Sequence, residues 1–391
     1  MKIIQVSTFA YPVTGGVETQ VREISSRLAD LGHDIAIYAS DSDRNGHRIK
    51  QEQTTLPENP RVSITRFKTY FSISQFYKIT KGLFSALKNS EADVFHIHGF
   101  RKYEVYVAML AARLNSRRPK VVVTTHNPFT ANKRSSILSF FVALHDITLG
   151  FLFSRYIDRV IALLPSEIPI LCNKFRIPKE KIFVIPNGIA DIFYEKHEYP
   201  DKQKFLEEII PSSKRQILNK QWSSIVLSAS RLHEVKGLQN LLSAVKKLPD
   251  TLFLFVGGDD GYEVKLRELY KSAENVIITG KYVSFNQMPQ LYTVADVFVL
   301  PSLHEPFGLT PVEAVAAGIP VVATTNGGPI LVLKDTYATF VQPENKEGWA
   351  VAIKELLSET NEREKRIELG KQDVSKYGWE FVLPAILKVY H

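Results

Sequence analysis

An α/β protein of two domains, each built on a parallel sheet, is what this sequence predicts, and three observations carry the prediction. The chain has 391 residues, too long for one ordinary hydrophobic core and suited to two. Short apolar runs alternate with amphipathic helical stretches along both halves, which is the pattern of βα units. The loops after several apolar runs carry histidines, paired acids or close-spaced cations. In parallel sheets such loops lie at the carboxyl ends of strands, where ligands bind.

Composition narrows the class further. Hydrophobic residues make up 45% and charged residues 23%, the balance of a soluble globular protein. The one cysteine, Cys172, excludes an intrachain disulfide and a cysteine-based metal cluster, and fits a reducing cytoplasm. The sequence opens on a strand without a signal-peptide pattern. Charge is uneven: residues 1–190 hold 26 Lys/Arg against 15 Asp/Glu, whereas residues 191–391 hold 23 against 26. A basic half suits anionic lipid, nucleic acid or a phosphorylated substrate. No helix-turn-helix, zinc-finger or ribonucleoprotein signature is present, so nucleic acid is not expected as a partner.

In the first half, Lys2 to Thr8 reads as a strand and Phe9 to Thr14 as a loop. Gly15-Gly16 then opens a helix whose apolar positions Val17, Val21, Ile24, Leu28 and Leu31 recur at helical spacing. Gly32 stops it, and Asp34 to Ala39 is the second strand. Paired glycine at a helix N-terminus lets backbone approach a phosphate closely, with free amides and the dipole behind it. It equally makes a tight turn, and it is not the G-x-G-x-x-G pattern of dinucleotide binding. Residues 41–60 are polar and predict a loop, and Val62 to Phe67 a strand. Tyr70 to Phe84 predicts an amphipathic helix packed on the sheet. With Lys78 and Lys81 among its aromatics, it also suits a lipid interface.

Ala92 to Ile97 is the next strand and ends in His98-Gly99. Val105 to Leu114 is a helix, and Val121 to Thr125 a buried strand followed by His126-Asn127-Pro128. Both histidines sit on strand-end loops, where binding groups concentrate. A satisfied structural role is the competing reading, and for His98 the favoured one. Ile137 to Phe153 is apolar over 17 residues but is interrupted by His145, Asp146 and Thr148. A membrane span needs about 20 apolar residues, so a buried or partly exposed helix is expected. Tyr156 to Leu163 is a strand with its lead-in, Pro165 to Phe175 a helix and Lys181 to Ile185 a strand. The turn Pro186-Asn187-Gly188 places a domain boundary near residue 188. Residues 195–220 form a charged connector, helical in part.

The second half opens with the strand Ile225 to Ala229 and the loop Ser230-Arg231-Leu232-His233-Glu234-Val235-Lys236-Gly237; a helix begins near Leu238. Arginine and lysine five apart on a strand-to-helix loop can converge on one anion. A pair of cations suits a diphosphate leaving group, on which charge builds as a bond to it breaks. Leu252 to Val256 is a strand running into Gly257-Gly258-Asp259-Asp260-Gly261. Val276 to Thr279 is a strand followed by Gly280-Lys281-Tyr282-Val283. Ala295 to Leu300 is a strand, and Pro301 to Gly308 a polar loop carrying His304 and Glu305. The next helix has Thr310 as its expected N-cap, Pro311 at its first position and Glu313 three residues past the cap, a capping-box spacing. Val321 to Ala323 starts another strand, Phe340 to Gln342 is a short last one, and Lys346–Ser358, Glu362–Lys376 and Trp379–Tyr390 are helical.

The stretch EPFGLTPVEAVAAGIPVVAT, residues 305–324, resembles the E-x7-E signature of the retaining, nucleotide-sugar-dependent glycosyltransferases of family 4. Ser230-Arg231-Leu232 through Lys236-Gly237 is similar to that family's G/S-R-L-x-x-x-K-G motif, Pro186 to Asp191 to its PNGID hinge, and Thr124-Thr125-His126 to its TTH position. The resemblance spans essentially the whole chain, with its most specific motifs between 225 and 330. It implies the GT-B fold: two Rossmann-like domains facing a cleft, with the terminal helix crossing back to the first. Residues 1–188, with about 377–391, would bind the acceptor, and residues 189–376 the donor. By the same match Arg231 and Lys236 grip the donor diphosphate without a metal, and Gly15 and Gly16 abut it from the opposite domain. His126 faces the transferred sugar, and Glu305 meets the sugar hydroxyls. The backbone of Phe307, Gly308 and Leu309 runs along sugar and diphosphate, Glu313 takes the ribose hydroxyls, and Val283 belongs to the loop framing the base. The turn at 257–261 departs from the family's GxGP, which leaves base or ribose contacts there open.

The expected activity is therefore transfer of a hexose-type sugar, with retention, from a nucleoside-diphosphate sugar to an acceptor hydroxyl. Glycans, lipid-linked saccharides and small molecules are the acceptor classes, and no cofactor is expected. The basic first half and its apolar segments suggest a cytoplasmic protein that touches an anionic membrane surface at its inner face. A glycan phosphorylase or disaccharide synthase on the same fold, or a non-catalytic nucleotide-sugar binding protein, would show the same signatures.

Overall fold

The computed structural model describes residues 1–74, 77–126, 142–146, 148, 154–195, 201–358 and 361–391. The chain divides into two compact units, Met1–Gly188 with Glu380–His391, and Ile189–Trp379.

The first unit is built on β1 (Lys2–Val6), β2 (Asp34–Ser40), β3 (Gln53–Thr55), β4 (Val62–Phe67), the hairpin β5 (Thr69–Ser74) and β6 (Tyr77–Thr80), β7 (Val94–His98), β8 (Lys120–Thr124), β9 (Arg159–Ala162) and β10 (Ile182–Val184). The main sheet runs β10-β9-β8-β7-β1-β2-β4-β3. Its pairings are parallel except for β3 on β4. Buried Val, Ile and Phe fill β1, β7, β8 and β9, as expected of strands covered on both faces. The winding reverses between β1 and β7. Ligands of such sheets bind at the carboxyl ends of the strands that flank this point.

The helix Gly16–Asp30 starts at the paired glycine and ends where Gly32 takes φ +84°. The amide of His33 then donates to the Leu28 carbonyl at 3.1 Å, closing the helix end. Gln20 on this helix clamps the boundary turn. Its side-chain amide donates to the Gly188 carbonyl at 2.8 Å and accepts from the Gly188 amide at 3.0 Å.

Two local expectations are corrected here. Residues 70–84 are not one helix: they form the β5–β6 hairpin and the start of a short helix, Leu83–Lys88. Thr, Tyr, Phe and Ile favour a pleated surface, and pairing between the two strands outweighs the helical stripe. The polar stretch 41–60 contains β3, held to β4 at the sheet edge. Most of the apolar segment 137–153 lies outside the described residues. Its described part is helical at 142–145. There the buried Asp146 carboxylate receives Arg101 Nη2 at 2.6 Å and Lys174 Nζ at 2.7 Å. Asn127 and Pro128 also lie outside the described residues.

The second unit carries β11 (Ser224–Ala229), β12 (Thr251–Val256), β13 (Val276–Ile278), β14 (Val297–Leu300), β15 (Val321–Thr324) and β16 (Ala338–Val341), ordered β13-β12-β11-β14-β15-β16 and all parallel. Phe253, Phe255, Val297, Val299 and Trp349 centre its core. The switch point falls between β11 and β14, so a ligand site is expected at the loops after these two strands. The connector of 195–220 contains the helix Lys202–Ile209, capped by Asp201, whose Oδ1 accepts from the Lys204 amide at 2.9 Å. The helix Trp379–Tyr390 starts at the last residue of this unit, and its body, with Val382, Ile386 and Val389 buried, belongs to the first unit. Among the described residues no helix is long and apolar enough to cross a membrane.

Candidate functional site

In the second unit the loop after β11 carries Arg231 and Lys236, and the loop after β14 carries Glu305. Backbone ties the two loops together: the Leu303 amide donates to the Val235 carbonyl at 2.8 Å. Gly237 permits the approach. A Cβ there would lie 1.9 Å from the Pro301 carbonyl oxygen. Lys236 Nζ donates to Glu305 Oε2 at 2.7 Å, with both side chains mostly buried. Arg231 pairs with Asp260, on the turn after β12. Asp259 next to it organises that turn by accepting from the amides of Gly261, Tyr262 and Glu263 at 3.0, 3.0 and 2.9 Å. Each cation expected to meet a diphosphate is thus held by a carboxylate.

The loop after β15 completes this rim. The Gly328 amide donates to the Glu305 carbonyl at 2.7 Å, and Asn326 Nδ2 to the Leu303 carbonyl at 3.1 Å. Phe307 is buried edge-to-face on Tyr377, centroids 5.9 Å apart, so its backbone rather than its ring is available to a ligand. Gly308, at φ +93° and ψ +59°, caps the helix Leu309–Ala316. This corrects the expected capping box. The helix starts one residue before Thr310, and no side chain caps it. The left-handed glycine lets the chain enter the helix early, and the amides of a first turn have no intrahelical partner. Glu313 is buried, and its Oε2 accepts from the Tyr292 hydroxyl at 2.8 Å. Burial and the Glu313 carboxylate together push the Tyr292 pKa well above its usual value. Val283 sits apart, on the loop after β13. Beside it Tyr282 covers Gly258, where a Cβ would lie 2.3 Å from the tyrosine ring.

In the first unit, Gly15 precedes the helix opened by Gly16. Over Gly15 lie Arg44 Nη2 and Glu18 Oε2, which pair at 2.6 Å. His126, at φ +51°, follows the carboxyl end of β8. Its Nε2 is 3.1 Å from His98 Nδ1, and His98 Nε2 is 2.7 Å from Gln5 Oε1. Gln5 Nε2 donates to the Tyr390 hydroxyl at 3.3 Å. That hydroxyl is 2.8 Å from His96 Nδ1, and His96 Nε2 is 2.7 Å from Thr124 Oγ1. Burial pushes the His96 and His126 pKa values down to about 3, with Lys102 adding to the effect at His126. Burial, His96, His126 and Lys102 lower that of His98 as well. All three rings are neutral at pH 7.

Asp260, Tyr292, Asn326, Arg44, Gln5 and Tyr390 were not singled out as site residues from the sequence. Each reaches its partner across 21 or more positions, so no local pattern marks it. The acids at 259–260 were visible only as members of a turn. Among the described residues no three His, Cys, Asp or Glu side chains are grouped to hold a metal.

Residues 14–191 match the family model described as Glycosyltransferase Family 4, and residues 210–373 that described as Glycosyl transferases group 1. The chain is a family 4 glycosyltransferase. This glycosyltransferase is 26% identical to an uncharacterized glycosyltransferase of Methanocaldococcus jannaschii over 100% of its own length and 98% of the relative's. It is 29% identical to the alpha-monoglucosyldiacylglycerol synthase of Streptococcus pneumoniae over 96% of its length and 84% of that protein's. Among solved structures, Anabaena HepE in complex with UDP and glucose aligns with the glycosyltransferase at a TM-score of 0.76 and 20% identity, covering 99% and 98% of the two chains. That likeness gives the fold, GT-B, as the motifs implied.

Proposed function

We propose that this glycosyltransferase moves a hexose-type sugar from a nucleoside-diphosphate sugar to an acceptor hydroxyl, with retention at the anomeric carbon and without a metal. One observation carries the reading. Arg231 and Lys236 stand on one loop at the switch point of a parallel sheet, and Lys236 is paired with Glu305 on the loop that leads into the helix Gly308 opens. Cations and helix amides are the groups that stabilise a departing diphosphate. In the reaction the bond from the anomeric carbon to the diphosphate oxygen breaks, the acceptor oxygen bonds to that carbon, and the acceptor proton passes to the leaving phosphate. Glu305 would hold sugar hydroxyls, and Glu313 the ribose with Tyr292 fixing its carboxylate. Phe307, Gly308 and Leu309 would offer backbone to the sugar and diphosphate, and Val283 to the base. In the first unit the Gly15-Gly16 amides would add an anion contact, and His126 would face the sugar.

The test pairs binding with turnover. UDP, GDP, ADP and their sugars are screened by thermal shift in EDTA, since a ligand that binds the native state raises its midpoint. With the donor that binds, the anomeric configuration of the product is read by NMR. One nucleotide is expected to raise the midpoint with EDTA present, and the product is expected to keep the donor's configuration. Binding only with added divalent metal, or an inverted product, would overturn the reading. Binding with no transfer to any acceptor would mean a binding protein, and phosphate-dependent release of sugar phosphate a phosphorylase.

For the acceptor, the β5–β6 hairpin favours a lipid surface. Tyr70 and Phe71 are 83% and 57% exposed. Lys68 and Lys81, both exposed, face each other at its base, where the Lys81 amide donates to the Lys68 carbonyl at 2.9 Å. Exposed aromatics beside lysines suit an anionic interface, and the streptococcal relative is named for a glucosylated diacylglycerol. Flotation with anionic liposomes should recover the protein at low salt and lose it on Tyr70→Ser/Phe71→Ser. Absence from the floating fraction at every salt concentration would remove the membrane from this account.

A further inference from the structure

The histidines behind His126 form one continuous chain of hydrogen bonds that sugar transfer as derived above does not use. It runs from His126 through His98, Gln5, Tyr390 and His96 to Thr124, with separations of 3.1, 2.7, 3.3, 2.8 and 2.7 Å. Apart from His126, every member is buried at the heart of the first unit. The chain joins β8, β7 and β1 to the C-terminal helix.

With the Gln5 amide oxygen turned to His98, proton counting gives its sense. A neutral imidazole has one donor nitrogen and one acceptor nitrogen, so a bond made at one nitrogen dictates the role of the other. Gln5 turns its carbonyl oxygen to His98, so His98 Nε2 must carry the proton. His98 Nδ1 is then an acceptor, and His126 must donate to it from Nε2. This leaves His126 Nδ1 as a bare lone pair, able to accept from a sugar hydroxyl but not to donate. On the other side, Gln5 donates to the Tyr390 oxygen, Tyr390 donates its own proton to His96 Nδ1, and His96 donates from Nε2 to Thr124.

The symmetry of this arrangement gives it a consequence. A flip of the Gln5 amide would present a donor to His98, reverse both histidines on that side, and move the His126 proton from Nε2 to Nδ1. The flip would also oblige Tyr390 to donate to Gln5 and accept from His96 Nδ1, and His96 Nε2 to accept from Thr124, so the phenol ties the His126 tautomer to the rest of the chain. Gln5 Nε2 bonds to the Tyr390 hydroxyl. Without that hydroxyl the amide nitrogen and oxygen face the same apolar ring, and neither orientation is preferred.

We propose that Tyr390, acting through Gln5 and His98, sets which ring nitrogen of His126 carries the proton, which makes Tyr390 and Gln5 positioning residues for the sugar-facing histidine. The catalytic half of this statement rests on the placement of His126 given under Proposed function; the tautomer half does not. The groups facing the histidines are consistent with a relay that stays neutral. Lys102 lies close enough to disfavour a second positive charge, and its Nζ is held by Thr8 Oγ1 at 2.9 Å. Lys102 also acts on the buried Glu104, whose pKa burial raises and Lys102 lowers in part.

The test reads the imidazole nitrogens directly, by 15N NMR of the unliganded protein with labelled histidine, alongside the kinetics. In the unmodified protein His126 should show one neutral tautomer protonated at Nε2 from pH 5 to pH 8. In Tyr390→Phe a second tautomer, protonated at Nδ1, should appear in about half the molecules, and kcat/KM should fall about twofold, since only molecules protonated at Nε2 can accept from the sugar hydroxyl. Gln5→Leu, which keeps the volume and cuts the chain at its centre, should do the same and covers the case in which Tyr390→Phe does not fold. A single unchanged His126 tautomer in the folded variants would overturn the proposal and leave Tyr390 a packing residue, as would a mixed tautomer in the unmodified protein. A tautomer shift in a protein that transfers no sugar would sink the proposed function and leave the relay standing.

Discussion

Lys236→Ala is expected to lower kcat by about 10²–10³ while leaving the fold intact. Removing one preformed electrostatic contact to a developing negative charge costs on that order. The lysine ends the short 3-10 turn Glu234–Lys236, and its ammonium is set 2.7 Å from Glu305, so the loss comes in two parts. The positive charge that should meet the departing diphosphate is gone, and Glu305 is left without its counter-ion beside the proposed diphosphate site. A carboxylate freed there repels the ligand. Lys236→Ala/Glu305→Ala should therefore bind the nucleoside diphosphate better than Lys236→Ala alone, without recovering turnover. Steady-state kinetics and calorimetry on the three proteins measure both parts. A single variant with near-normal kcat would place the leaving group elsewhere.

Gly237→Ala is expected to be among the most damaging single methyl additions in the second unit. The added carbon would lie 1.9 Å from the Pro301 carbonyl oxygen and 2.7 Å from its carbon, with φ at +70°. Backbone cannot rotate away as a side-chain end can. The loops bearing Lys236 and Glu305 must separate, and the left-handed conformation itself costs an L-residue about 1–2 kcal/mol. We expect a loss of about 4 kcal/mol or more, a fall in the melting midpoint of about 10 °C for a unit of this size, and weak activity even where the variant is folded. Gly261→Ala is the control. Its φ is +85°, but nothing lies within 4 Å of the new carbon, so only the conformational cost remains. Equal midpoints for the two variants would show that contact between the loops does not matter.

Much of this was legible in the chain. Each strand of the two main sheets is an apolar run set between polar turns, apart from the short edge strand β3, and its place follows from neighbouring residues alone. The candidate residues Arg231, Lys236, Glu305, His126 and Gly15-Gly16 lie on loops after strands, as the alternation of apolar runs and turns implied, and the roles proposed for them come from the family motifs. The misreadings share a different cause. Residues 70–84 carry apolar groups at spacings that suit a helix and a hairpin alike, and cross-strand pairing decides for the hairpin. At Thr310 the local spacing was right for a cap, yet Gly308 enters the helix first because its left-handed geometry is compatible with the tight turn before it.

The sequence by itself determined the fold class, the order of the elements and which strand-end loops carry charge, because periodicity and turn chemistry act between residues a few positions apart. Only the tertiary structure decided which charges meet. Arg231 finds Asp260 29 positions away, and Gln5 finds Tyr390 385 positions away. Such contacts leave no trace in the local pattern. They are set by the register of strands and the docking of a helix, whose packing free energy is summed over the whole core rather than over any short segment.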